Sequence, residues 1–386
     1  MAQQPIKLAL MPGDGIGVEV VAAAERVLDT LRQRYDLPLS WDTLPWPSTA
    51  WHREHGEMMP ADALERLGDY QALLLGALGD PGPTSDPKRY RLSDGVSLAP
   101  LLTFRKGLDL WACERPARLL PGAPQYLADE RAKDIDMLVI RENSEGEYVN
   151  QGGRLRAGTP DETATQLEVF TRKATERLIR HAFNRARERL TLREQDGELR
   201  EYLCDRSGLK GAQVCLITKR NAQPHWGEMY TEVFEQVARE YPDIGVHHEL
   251  VDAACMKFVQ CPWQFDVVVA SNLHGDILTD LAAVLAGGLG VAPSCNINPD
   301  DKSRPALFEP THGSAPDIAG QGIANPSAML LTTAMMLDWL GLADAAQSLR
   351  SAVAEDLQAQ HRQSQEQNSG ARTTDEITQS ILGHLS

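Results

Sequence analysis

The stretch Val267-Val268-Val269-Ala270-Ser271-Asn272-Leu273-His274-Gly275-Asp276-Ile277-Leu278-Thr279-Asp280 changes character after its fourth residue. The opening run is short, apolar and β-branched, which predicts a strand buried on both faces, as in a mainly parallel sheet. The residues that follow read as a helix, on which Asp276 and Asp280, four apart, project from the same face. Two like charges there repel one another unless a cation sits between them. A helix N-terminus accounts for an acid at Asp276 but poorly for Asp280. A hard divalent ion taking oxygen ligands accounts for both. His274 reads as a structural neighbour of such a site, since hard ions prefer oxygen.

Outward from this stretch the same pattern repeats. Ile6–Met11 reads as a strand running into the turn Pro12-Gly13-Asp14-Gly15-Ile16-Gly17 and then a helix with Val20, Ala24, Val27, Leu28 and Leu31 on one face. Ala72–Leu75, Met137–Ile140 and Val214–Ile217 are further buried-strand candidates. Thr171 is placed to cap a helix carrying Ala174, Leu178, Ala182 and Ala186, and Asn325-Pro326 to start one through Met329, Leu330, Met336 and Leu337, ending near Gly341. Strands alternating with long helices predict an α/β protein. Asp80–Ser97 and Arg193–Gly211 read as surface loops, and the polar tail Gln358–Thr374 as partly mobile.

A chain of 386 residues suits two lobes better than one core. Its formal charge of -16 argues against a general nucleic-acid or anionic-membrane surface, though not against an anionic substrate held by local arginines. No apolar run is long enough for a bilayer, and Met1–Lys7 lacks a signal-peptide core. The six cysteines (Cys113, Cys204, Cys215, Cys255, Cys261, Cys295) form no CxxC pair or zinc spacing. Reduced thiols in a soluble, cytoplasmic protein are the expectation.

Other candidates for chemistry are weaker one at a time. The glycines at 13, 15 and 17 make G-x-G-x-G, not the dinucleotide fingerprint, so a tight turn needing positive φ is the better reading. Arg105, Arg115, Arg118 and Arg141 can grip carboxylates in a bidentate fork, and Arg141 directly follows a strand, where α/β proteins place ligands. Taken alone, each reads better as a surface ion pair. Lys219, just past the strand Val214–Ile217, is a base if drawn into a site and a solvated lysine otherwise. Glu309-Pro310-Thr311-His312-Gly313-Ser314-Ala315-Pro316-Asp317-Ile318-Ala319-Gly320, leading to Asn325-Pro326, is either a connecting loop or a close backbone approach to a ligand with an acid for ribose hydroxyls.

In this order the pieces resemble the β-decarboxylating dehydrogenases, the isocitrate and isopropylmalate dehydrogenase family with its D-malate and tartrate members. The resemblance runs from Gly13 to the Asn-Pro at 325–326, most specifically in Asn272–Asp280 and His312–Pro326. It implies a two-domain family fold that is not a Rossmann fold. Residues 1–110 with 287–386 would form a larger nucleotide-binding domain, and 111–286 a smaller one with the dimer-forming segment and the metal and substrate residues. It implies that Arg105, Arg115 and Arg141 clamp the substrate carboxylates. Tyr148 and Lys219 take the catalytic roles, and Asp252, Asp276 and Asp280 bind Mg²⁺ or Mn²⁺. The lysine and Asp252 serve the partner's site in an obligate homodimer. The nucleotide loop matches His312, Gly313, Ser314, Ala315, Asp317, Ile318 and Asn325, with Asn221 also toward the cofactor. An acid at Asp317 is what NAD-using members carry. The implied chemistry is hydride transfer from C2 to NAD with Lys219 taking the hydroxyl proton, loss of CO₂ from C3, and protonation of C3 by Tyr148.

The substrate is read from Ser97-Leu98-Ala99-Pro100-Leu101-Leu102-Thr103-Phe104-Arg105. Leu98 stands where isopropylmalate dehydrogenases carry a glutamate, and Leu101 and Leu102 would make an apolar wall. The wording RENSEGEY at Arg141–Tyr148, and His55–Pro60, are closer to D-malate and tartrate dehydrogenases. D-malate or tartrate is therefore the expected substrate, with 3-isopropylmalate or another C3-substituted malate as the alternative. The chain departs from its relatives in lacking their tryptophan-glycine before this arginine, in Cys113-Glu114 where Asn-Leu is usual, and in the Arg193–Gly211 insertion, which falls near the relatives' dimer segment in sequence. A non-redox lyase or an inactive dimeric scaffold are the readings outside the class. Retention of Lys219, Tyr148 and the three aspartates opposes the scaffold, and the His312 loop would have no task in a lyase.

Overall fold

The computed structural model describes residues 5–79, 92–202, 209–366 and 371–385. They divide into two compact units, Met1–Leu110 with Arg118–Lys133 and Ala283–Ser386, and Trp111–Ala117 with Asp134–Ala282. Arg118–Lys133 sits with the first unit because Gly122, at φ 87°, lies against the backbone of Leu357, where a Cβ would meet the carbonyl at 2.5 Å.

In the first unit the strand order is β2 (Leu39–Thr43), β1 (Ile6–Gly13), β3 (Ala72–Ala77), β12 (Ala306–Phe308), β11 (Cys295–Ile297). The pairs run parallel except the antiparallel β11–β12. Every residue of β3 is buried, which its unbroken apolar run requires. The Gly17–Arg34 helix buries Val20, Ala24, Val27, Leu28 and Leu31, the face expected from their spacing. The Ser327–Trp339 helix begins one residue later than Asn325-Pro326 suggests, and Asn325 Oδ1 accepts the Ser327 N–H at 3.0 Å.

In the second unit the order is β4 (Ala112–Arg118), β5 (Asp136–Glu142), β10 (Val267–Ala270), β8 (Gln213–Thr218), β9 (Gly245–Leu250). From β5 to β9 all pairs are parallel. The Arg172–Asp196 helix packs on β5, β8 and β10, and the Thr171 hydroxyl accepts the Ala174 N–H at 3.2 Å to start it. A separate antiparallel ribbon, β6 (Gly152–Leu155) and β7 (Thr163–Gln166), is exposed along its whole length.

The fold is thus α/β with largely parallel sheets, and it is not a Rossmann fold. The glycine turn is a packing device. Gly13 and Gly15 have φ 70° and 56°, and a Cβ on Gly15 would meet the Ser314 carbonyl oxygen at 2.0 Å. The space a phosphate would need is filled by backbone.

Three loop expectations are corrected. Asp94–Ser97 is a helical turn, while 80–91 lie outside the described residues. Arg193–Gly211 is not a solvated loop at its ends. Arg193 is 8% exposed and donates to the Gly211 carbonyl at 2.7 Å and to Asp266 at 2.9 Å. Asp266 is fully buried and also takes Arg189 at 2.7 Å, so these charges pair inward. Arg200 donates to the Asp134 carbonyl at 2.8 Å. The insertion therefore sits at the amino ends of β5 and β10, the end opposite Arg141; 203–208 lie outside the described residues. The tail begins as helix, Ala343–Glu366, and after 367–370, also outside the described residues, Arg372 holds the buried Asp356 through bonds of 2.7 and 2.8 Å.

The five described cysteines are not in disulfides, and Cys204 lies outside the described residues. Among the described residues no helix is long and apolar enough to cross a membrane.

Candidate active site

Parallel strands deliver their carboxyl ends to one side, and in the second unit the candidate residues gather there. Ala270 of β10 pairs with Arg141 of β5, and Thr218 of β8 with Leu250 of β9. Arg141, Lys219 and Asp252 thus stand at or just past the same edge, and the Asn272–Leu285 helix starts from it. Arg141 is 2% exposed. Its Nε and Nη2 donate to Asn272 Oδ1 at 3.1 and 2.8 Å, which aims Nη1 at Asp276, its ion-pair partner. Tyr148 Oη donates to the other Asp276 oxygen at 2.8 Å. Arg115 Nη1 donates to Thr279 Oγ1 at 2.7 Å and lies 3.3 Å from Asp276 and 3.8 Å from Asp280. Gly275 makes this possible, because a Cβ there would meet Arg141 Cγ at 2.7 Å.

The two acids therefore do share a helix face, and cations flank them. Burial on the protein side and the Asp276 charge push the Asp280 carboxyl above its ordinary range, against the pull of Arg115, although much of that side chain is exposed. Paired carboxylates flanked by cations in this way are an electrostatic setting that suits a cation. Asp252 is engaged elsewhere: Lys219 Nζ donates to it at 2.7 Å and holds its carboxyl low. Among the described residues no three His, Cys, Asp or Glu side chains come together to hold a metal. Asp276 and Asp280 fit a hard divalent ion, and within one chain Asp252 does not complete the set.

Sequence reasoning missed the supporting residues. Asn272 orients Arg141, and Thr279 orients Arg115; both lie inside the stretch read first, where polar residues on a helix carry no signal of what they face. His274 is 8% exposed, its ring tilted against Trp226 with centroids 5.6 Å apart, and held below its ordinary pKa by burial, as a structural residue would be. The unusual Glu114 is compensated: it is 5% exposed and bonded to His181 at 2.7 Å, with Arg185 at 3.1 Å.

The remaining candidates are in the first unit, except Asn221, which is exposed in the second between β8 and the Pro224–Ala238 helix. Arg105 is 4% exposed, pairs with Glu309 at 3.2 Å, and keeps a buried Nε–H without a partner, a donor left for an anion. Leu101 packs on the apolar core around Phe104 and Leu108. The apolar surface of the Ala99–Gly107 helix and its N-cap is Leu98 and Leu102, 40% and 36% exposed, rather than Leu101 and Leu102. In the His312 loop, Ser314 is buried and its carbonyl accepts the Ile16 N–H at 2.9 Å, while Ala315 takes φ 40°. His312 Nε2 is buried with no partner, and burial holds the ring's pKa low, so the imidazole is neutral near pH 7. Asp317 is exposed, and Gln321 donates to its backbone carbonyl at 2.7 Å, leaving the carboxylate facing solvent. A Cβ added at Gly313, Gly320 or Gly322 would meet nothing within 4 Å. Ile318 is half-buried beside them. Open backbone, an unmet imidazole nitrogen and an outward carboxylate fit a nucleotide.

The chain matches the family described as isocitrate/isopropylmalate dehydrogenase over residues 7–381. It is 43% identical over 381 residues to a 3-isopropylmalate dehydrogenase of Thermobifida fusca, covering 99% of this chain and 98% of that one. It is 41% identical over 340 residues to the decarboxylating D-malate dehydrogenase of Escherichia coli, covering 88% and 86%. Among solved structures, isocitrate dehydrogenase from Methylococcus capsulatus superposes with a TM-score of 0.77 at 33% identity, over 98% of this chain and 99% of that one.

Proposed function

From the premise that the chain belongs to the isocitrate/isopropylmalate dehydrogenase family, we propose that it catalyses NAD-dependent oxidative decarboxylation of a malate-type 2-hydroxy diacid, D-malate or tartrate foremost. One observation carries the reading: Arg141, Arg115 and Tyr148 converge on Asp276, beside Asp280, at the carboxyl edge of a parallel sheet.

Asp276 and Asp280, with Asp252 of a second copy, would hold Mg²⁺ or Mn²⁺, which supplies Lewis-acid polarisation of the substrate's C2 oxygen. The loop residues His312, Gly313, Ser314, Ala315, Asp317, Ile318 and Asn325, with Asn221, would hold NAD, the hydride acceptor. Arg105, Arg115 and Arg141 grip and orient the two carboxylates, which keeps C2 and C3 in register with the reacting groups. Lys219 of that second copy, as the neutral amine, would accept the C2 hydroxyl proton as hydride leaves. Tyr148 delivers a proton to C3 once CO₂ has gone. The test is NADH formation with Mg²⁺ across D-malate, tartrates, 3-isopropylmalate and isocitrate, with NADP⁺ as control. Turnover of a diacid without NAD⁺ reduction would replace this reading with a lyase, and cofactor binding without turnover of any substrate would favour a scaffold.

The exposed Leu98–Leu102 pair favours a second reading, a malate with an apolar C3 substituent such as 3-isopropylmalate. Leu102→Glu separates the two. For an apolar substrate it lowers kcat/KM by about 10–200-fold, the worth of a methylene or more in an apolar pocket. D-malate, which carries no C3 group, loses little. Asp317 supplies the coenzyme test. A carboxylate accepts ribose hydroxyls and repels a 2′-phosphate, so Asp317→Lys raises the ratio of NADP⁺ to NAD⁺ efficiency by at least about tenfold. An unchanged ratio would remove Asp317 from the ribose.

A homodimer with shared sites is part of the proposal. The Val251–Gln260 and Asn272–Leu285 helices leave Met256, Val259 and Ile277 about half exposed or more, and the β6–β7 ribbon stands without a core of its own. Met256→Glu with Ile277→Glu is expected to shift sedimentation from dimer to monomer and to remove activity with it. A monomeric variant of full activity contradicts sharing.

A further inference from the structure

We propose that Glu147 is a positioning residue for Tyr148, joining the loop that carries the tyrosine to the helix that carries Asp276 and Asp280. This rests on the catalytic reading of Tyr148 given above. Glu147 Oε1 accepts from Ser271 Oγ at 2.6 Å and its Oε2 from the Leu273 N–H at 3.1 Å. A carboxylate at that place meets a backbone donor that the first turn of a helix leaves unpaired, and it faces the positive end of the helix dipole. The Ser271 hydroxyl accepts the His274 N–H at 3.4 Å as the helix cap, and Glu147 accepts that hydroxyl's own hydrogen bond, reaching it from a loop more than a hundred residues earlier.

The link is one of three. Asn272 Nδ2 donates to the Glu145 carbonyl at 3.0 Å, Glu147 grips Ser271 and Leu273, and Tyr148 Oη reaches Asp276 at 2.8 Å. Residues 145, 147 and 148 are thus fastened along the first turn and a half of the same helix. Glu145 is itself tied on the far side, taking the Thr171 N–H at 2.6 Å and its hydroxyl at 3.0 Å. Gly146, at φ 82°, makes the bend between these two anchors, with its N–H on the Val169 carbonyl at 2.8 Å. Glu147, the residue next to the tyrosine, thus binds the amino end of the helix through its side chain. Without it, the Tyr148 hydroxyl keeps its chemistry and loses its fixed distance from the acids.

A double-mutant cycle between Glu147→Ala and Tyr148→Phe tests this, with kcat, the KM for NAD⁺ and Tm read for each protein. Tyr148→Phe lowers kcat by about 10²-fold or more, as loss of a general acid does. Glu147→Ala lowers it by about tenfold in the wild type, and by less than about twofold when Tyr148 is already Phe, since a residue acting through another has nothing left to position. The KM for NAD⁺ stays unchanged. Glu147→Gln, which keeps an acceptor for Ser271, recovers part of the loss. Equal kcat effects of Glu147→Ala in both backgrounds, whatever the Tm, overturn the proposal and leave the role of Tyr148 standing. Wild-type kcat in Tyr148→Phe overturns the role of Tyr148 itself.

Discussion

Asp280→Asn is expected to reduce turnover to near background and to raise the Mn²⁺ concentration needed for half-maximal binding. Asparagine has the same shape and can still offer a carbonyl oxygen, so the change removes charge and little else. Hard divalent ions are selected and held by the number of charged oxygens around them. Losing a mere outer partner of a metal ligand costs about 10–100-fold in affinity or activity, so loss of a direct ligand costs more. The fold should not suffer. Asp280 is exposed on its helix, and burial on the protein side and the Asp276 charge already push its carboxyl up, so neutralising it relieves a desolvation cost and a repulsion that offset the lost attraction to Arg115. Unchanged or slightly raised Tm together with lost Mn²⁺ binding, read by titration of the protein alone, is the expected pair of results. Wild-type kinetics in this variant would remove the metal assignment, and so would full activity in excess chelator.

Arg141→Lys should cost about 10²–10³-fold in kcat/KM for the diacid, the range for removing one preorganised donor. The charge survives, but the planar fork does not. Two of its nitrogens are spent on Asn272, which leaves the third aimed at Asp276, and a lysine ammonium cannot reproduce both at once. Gly275→Ala is the companion test, because the added methyl would fall 2.7 Å from Arg141 Cγ and displace the side chain without altering it. Both variants are expected to keep NAD binding, since none of the nucleotide-loop candidates is touched. If either variant keeps full kcat/KM for the diacid, the arginine does not orient the substrate.

Much of this was legible in the chain. Short, continuous apolar runs between long helical patterns predict strands buried on both faces, and β3, β8 and β10 are wholly buried. The spacing of Asp276 and Asp280 stated their shared face before any coordinate did. Where charge patterning misled, burial was the reason. Arg193 read as solvated because composition cannot show that Asp266 waits beneath it, held also by Arg189. Leu101 and Leu102 are adjacent letters, yet on a helix they diverge, one to the core and one outward.

Residue order alone determined the α/β class, the two-lobed size and the acids on one helix face, because each follows from a local period. Tertiary structure alone decided which groups meet: that Asn272 and Gly275 steer Arg141, that the glycine turn is filled by backbone, and that Asp252 pairs with Lys219 away from the other two acids. Such contacts join residues tens to hundreds of positions apart, so they depend on which strand lies beside which, a choice that no local window of sequence contains.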